Sequence, residues 1–102
     1  MSEPDLLTAA AAAYQEGRLS DAADLLDLRL VELPGDADAL FLRGLVAFRG
    51  GHPQGALRWL DRAVAEDPEH AVAWSNRALV LRAIGQLGEA GASLERALKL
   101  RP

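Results

Sequence analysis

There is no cysteine in this chain, so neither disulfide nor thiolate chemistry is open to it. Histidine is scarce: His52 and His70 are the two, and neither has a partner at metal-ligand spacing. No apolar run reaches the roughly 18 residues that a membrane-crossing helix needs. Lysine is almost missing, since ten of the eleven basic residues are arginine, a composition that fits a GC-rich bacterial genome. The opening residues, Met1-Ser2-Glu3-Pro4-Asp5, are acidic where a secretory signal is basic, and the chain reads as cytoplasmic. At 102 residues it amounts to at most one small domain, marginal unless its core is efficient.

What is present is a period. Pro34, Pro68 and Pro102 stand 34 residues apart, and so do Gly17, Gly51 and Gly85. Ala22, Ala56 and Ala90 keep the same step, as do Leu26, Leu60 and Leu94. A fixed period in this range marks a solenoid whose units bury their apolar faces against one another. Such a scaffold presents a surface. Charge varies along it: −6 over residues 1–36, −1 over 37–70 and +3 over 71–102.

Within each period the apolar residues recur at helical spacing on both sides of a glycine. In the third unit Trp74, Ala78, Leu81 and Ile84 precede Gly85, and Leu87, Ala90, Leu94, Ala97 and Leu98 follow it. Gly85 suits the left-handed residue that ends a helix. In the second unit Leu40, Gly44 and Ala47 precede Gly50-Gly51, and Pro53 can open the next helix because its missing N–H is not needed there. Six helices follow, near 4–16, 19–32, 37–49, 54–66, 71–83 and 87–99, with a proline stopping the second of each pair. Gly44 and Ala78 face Ala56 and Ala90, so that paired helices approach closely, and Ala56→Leu should cost roughly 1–3 kcal/mol by overpacking. Gly85, Gly88 and Gly91 lack the G-x-G-x-x-G spacing of a phosphate loop and read as a helix cap followed by small residues permitting close packing.

No catalytic constellation emerges. Asp21, Asp24 and Asp27 share one helix face without a pocket-forming context, and Asp21 suits a helix N-terminus. Trp59 and Trp74 occupy packing positions. The conspicuous residues are Phe41, Leu45 and Phe48, which make a second apolar stripe on a helix whose other face already meets its partner. An exposed stripe of this kind marks a binding site, whereas a covered one is packing between units.

This pattern resembles the tetratricopeptide repeat, a 34-residue helix–turn–helix unit of the form W-x₂-L-G-x₂-Y, then A-x₃-F, A and P. The third unit matches with Trp74, Ala78, Leu81, Ala90, Leu94, Ala97 and Pro102; the second with Leu40, Gly44, Ala47, Ala56, Leu60, Ala63 and Pro68. The first matches with Leu6, Ala10, Ala13, Ala22, Leu26 and Pro34. Arg43 and Arg77 stand where leucine is usual in the family, and Arg29 where alanine is usual. The resemblance implies an all-α, right-handed superhelical solenoid of three antiparallel helical hairpins, with units at about 3–36, 37–70 and 71–102. The related pentatricopeptide type, with a 35-residue period and a basic character, fits less well, because this acidic chain would repel phosphate.

The resemblance also implies a function. It points to a non-catalytic protein-interaction module, with Leu7, Ala11, Tyr14, Phe41, Leu45, Phe48, Ser75, Leu79 and Arg82 lining a concave groove and Arg49 and Asn76 beside it. Some family members clamp a peptide's terminal carboxylate with Lys and Asn. Here Leu7, Ala11, Leu42, Val72 and Asn76 hold the matching positions, so a helical or apolar segment is the better ligand. The expected partner is a protein or peptide, with no nucleic acid, membrane insertion, metal or cofactor. Leu94, Leu98 and Leu100 near the chain's end call for cover. That cover could come from further repeats of a longer protein or from another molecule. The alternatives are thus a self-associating scaffold, stacked basic end on acidic end or paired across the trough, and a targeting domain of a larger enzyme.

Overall fold

The computed structural model describes residues 5–101; Pro102, the third proline of the series, and residues 1–4, where the first helix is expected to open, lie outside them. Six helices follow in order: α1 (Leu6–Gln15), α2 (Leu19–Glu32), α3 (Ala37–Arg49), α4 (Pro53–Glu66), α5 (Ala71–Ala83) and α6 (Leu87–Leu100). The described residues contain no strand, and α2 to α6 fall within one residue of the expected spans.

The periodic glycines set the helix ends. Gly17, Gly51 and Gly85 have φ of 78°, 86° and 84°, the left-handed region that side chains with a Cβ avoid. Each turn carries the same pair of bonds. The Gly17 N–H donates to Tyr14 O and the Arg18 N–H to Ala13 O, and the pattern recurs at Gly51-His52 and Gly85-Gln86. These bonds satisfy the last carbonyls of α1, α3 and α5 and turn the chain straight into the second helix. Accordingly the second helices open without a side-chain cap, whereas each first helix has one. Asp5 accepts from Thr8 N at 2.7 Å, Asp36 from Ala39 N at 3.2 Å, and His70 Nδ1 from Ala73 N at 3.1 Å. The bond from the Thr8 N–H holds the Asp5 carboxyl below its ordinary range.

Helices pack most extensively as hairpins, α1 with α2, α3 with α4 and α5 with α6, and each second helix then meets the first helix of the next hairpin. First helices also touch one another, α1 with α3 and α3 with α5, but second helices do not. The first helices therefore form the inner side of a curved stack 46 Å long. Its core is built from alanine at the closest approaches and leucine between them. At Gly44 an added Cβ would lie 3.0 Å from Leu60 Cγ and 3.4 Å from the Ala56 carbonyl, so the expected tight approach of α3 to α4 is present. The same expectation fails in α6. A Cβ at Gly88 or Gly91 would meet nothing within 4 Å, because no helix lies on that side.

Candidate functional site: the inner face of the stacked hairpins

The ten residues assigned to the groove fall on α1, α3 and α5, and the structure divides them by environment. Leu7, Ala11 and Tyr14 on α1 and Phe41 and Leu45 on α3 are half-buried and pack against the core. The Phe41 ring sits 5.0 Å from that of His70, so this side chain joins the second unit to the third as well as facing inward. Phe48 is 36% exposed and Leu79 is 47% exposed. Arg82 is also exposed, while Asn76 is half-buried with its amide donating to Val72 O at 2.9 Å within α5. Arg49 bridges units: its guanidinium donates to Tyr14 O at 2.8 Å and lies 5.1 Å from the centre of the Tyr14 ring.

The arginines that depart from the family pattern form a ladder between hairpins. Arg43 Nε donates to Asp27 at 2.9 Å and Arg77 Nε to Asp61 at 2.7 Å, each arginine reaching back 16 residues to the preceding second helix. Arg43 also stacks over Trp59, 5.1 Å from the ring centre. In the third unit Ser93 stands in the place of Trp59, and its hydroxyl accepts from Arg77 at 2.6 Å. Arg29 pairs with Asp36 at 2.8 Å, a hydrogen bond that raises the arginine pKa and ties the end of α2 to the start of α3. The 34-residue spacing of Asp27 and Asp61, and of Arg43 and Arg77, already contained this ladder. His70 Nε2 meets Asp38 at 2.9 Å; with Nδ1 accepting at the α5 cap, Nε2 carries the proton.

The widest opening lies between α5 and α6, a groove of ≈ 250 Å³ with Ser75, Leu79, Arg82, Leu87, Gly91 and Leu94 in its walls. Its α5 side, Leu79 and Arg82, belongs to the assigned groove; its α6 side was not singled out by the stripe pattern. Among the described residues no three His, Asp or Glu side chains converge as a metal site would require, and no helix is long and apolar enough to cross a membrane.

Known proteins share both the sequence pattern and the stack. The tetratricopeptide repeat profile matches residues 7–71 and again 51–102. Cellulose synthase operon protein C of Komagataeibacter xylinus is 42% identical over 74 residues, which are 72% of this chain and 6% of that protein. The crystal structure of MamA superposes with a TM-score of 0.90 at 26% identity, covering 95% of this chain and 57% of that one. The first repeat domain of Spaghetti (RPAP3), bound to the HSP90 peptide SRMEEVD, gives a TM-score of 0.92 at 25% identity, covering 95% and 77%. A mutant O-GlcNAc transferase of Thermobaculum terrenum gives 0.91 at 34% identity, covering all of this chain and 21% of that one. The chain thus spans a small part of the cellulose synthase relative and little over half of MamA. With the repeat profile matched along nearly its whole length and the hairpin stack formed as that pattern demands, the chain belongs to the tetratricopeptide repeat family.

Proposed function

We propose that this chain is a non-catalytic protein-interaction module that takes an apolar or helical peptide segment on its inner face. The observation that carries this reading is the exposure of Phe48 and Leu79, two large apolar side chains on neighbouring first helices, where water would otherwise cover them. Phe41 and Leu45 continue the apolar surface, and Arg49 and Arg82 give it a basic edge at the ends of α3 and α5. The Spaghetti domain, whose hairpin stack is similar, carries a peptide, which supports an interaction role. An acidic tail of that kind fits this chain poorly, because Asn76 alone remains of the clamp positions and its amide is engaged by Val72 O. A helix laid along the inner face buries apolar side chains at i, i+3 or i+4, and i+7.

The test is peptide selection on the immobilised chain from a displayed random library. Enriched sequences should carry apolar residues at helical spacing. Phe48→Glu together with Leu79→Glu should weaken the best peptide at least about tenfold, since each buried large side chain is worth roughly 1.5–3 kcal/mol. Both side chains stand clear of the core, so the helical circular dichroism should be unchanged. Peptides that bind this double variant as tightly as the original chain would refute the inner face as the site. The Phe41→Glu, Phe48→Glu pair is the more drastic change: loss of fold there would mark Phe41 as core, in keeping with its contact to His70.

A further inference from the structure

The end face of the third hairpin repeats, position for position, the surface that α4 offers to α5. Leu60 and Val64 on α4 are buried under α5. Leu94 and Leu98 hold the same places on α6, 34 residues on, and are 48% and 55% exposed. Nothing among the described residues lies over them.

What covers this kind of surface is visible twice within the chain. α3 lies on α2 and α5 lies on α4, and each brings the same three residues at the same spacing: Ala39, Arg43 and Val46, then Ala73, Arg77 and Val80. The alanines are fully buried, where the backbones come closest. The arginines reach Asp27 and Asp61. Val80 packs among Ala47, Ala56 and Leu60. The next carboxylate at this step is Glu95, which is exposed and has no ion-pair partner among the described residues.

The end face differs from the internal ones in one respect. Where the second unit has Phe41 and Leu57, the third has Ser75 and Gly91. Two large side chains are replaced by small ones, and the ≈ 250 Å³ groove between α5 and α6 opens where they would stand. A covering helix must therefore bring more volume than Val80 does.

We infer that this end face docks an α-helix of a partner protein with a defined pattern. The helix carries a small residue, an arginine four positions later, and a large apolar side chain three positions after that. The arginine pairs with Glu95 and the large side chain enters the groove. The first helix of a second copy does not supply this pattern. In α1 the three places are held by Asp5, Ala9 and Ala12, with no cation and no large apolar group. Continuity with the two internal interfaces and the charge of Glu95 therefore point to a partner helix rather than to head-to-tail stacking. This surface meets the inner-face site only along Leu79 and Arg82, and the inference stands independently of that site.

A fluorescein-labelled synthetic peptide of residues 69–86, which carries Ala73, Arg77 and Val80, and the same peptide with Val80→Phe are titrated into the full chain and followed by anisotropy. Both should saturate, with the Phe peptide at least about threefold tighter because it fills the groove. Glu95→Arg in the chain should weaken binding about fivefold, and Arg77→Glu in the peptide should restore it. Phe48→Glu in the chain should leave the titration unchanged, which separates this surface from the inner-face site. Absence of saturation up to millimolar chain for both peptides would overturn the inference, as would indifference to Glu95→Arg. A concentration-dependent dimer in sedimentation that Leu94→Glu dissolves would also overturn it, assigning the face to a second copy.

Discussion

Leu60→Ala should lower the free energy of unfolding by about 2–5 kcal/mol, whereas Leu94→Ala should cost about 1 kcal/mol or less. The two leucines occupy the same place in successive repeats, so intrinsic propensity and local sequence period do not separate them. Burial does. Leu60 is fully enclosed by α3, its own helix and Val80 of α5, so removing it leaves a cavity that the rigid alanine-rich surroundings cannot close. Leu94 is 48% exposed, and the space left by its removal fills with water. Urea unfolding of both single variants, with unchanged slopes, reads the difference directly. Equal costs would mean that the end face of α6 is covered and that the third hairpin is packed like the second.

The second large effect is overpacking at the crossing of α3 and α4. Ala56→Leu should destabilise by about 3 kcal/mol, the upper end of the overpacking range, and Gly44→Leu by a similar amount. Ala56 is fully buried, and its carbonyl stands 3.4 Å from where a Cβ on Gly44 would be, with Leu60 Cγ at 3.0 Å. A larger group on either side has no free direction, because the contact is made by backbone and by the branch point of Leu60 rather than by a flexible tip. Gly44→Ala is the informative control. Its single methyl would gain about 1 kcal/mol of helix propensity and lose a comparable or larger amount to the clash, so its net effect should be small beside the leucine variants. The same methyl added at Gly88 or Gly91 meets only solvent and should stabilise α6 by roughly the full propensity gain.

These contrasts show which parts of the fold could be read from residues alone. The glycine step was sufficient for the helix ends, because a left-handed residue is a backbone requirement that one residue type satisfies locally. The alanine and leucine steps were sufficient for the hairpin contacts. Arg43 and Arg77 looked like departures, because their role depends on a carboxylate 16 residues back in a different hairpin, and helical periodicity relates only neighbours on one helix. Gly91 was misread for the converse reason. Small residues at helical spacing signal close approach only when a second helix is there to approach, and α6 has none on that side. The apolar stripe of Phe41, Leu45 and Phe48 was legible as a stripe, but not its division into half-buried residues and one exposed ring. That division follows from His70, which reaches across from the next hairpin to stand against Phe41 and to cap α5.

Three copies of one unit thus make a scaffold, and the substitutions between copies decide its surfaces. Aromatic residues in the second unit enrich the inner face, and small residues in the third open its end. The decisive measurement is the footprint of a library-selected peptide on the isotope-labelled chain, read as amide and methyl shift changes through a titration. The account predicts that the largest changes fall on Leu45, Phe48, Leu79 and Arg82 of α3 and α5. Shifts concentrated instead on the outward-facing residues of α2 and α4, with those four unmoved, would contradict it.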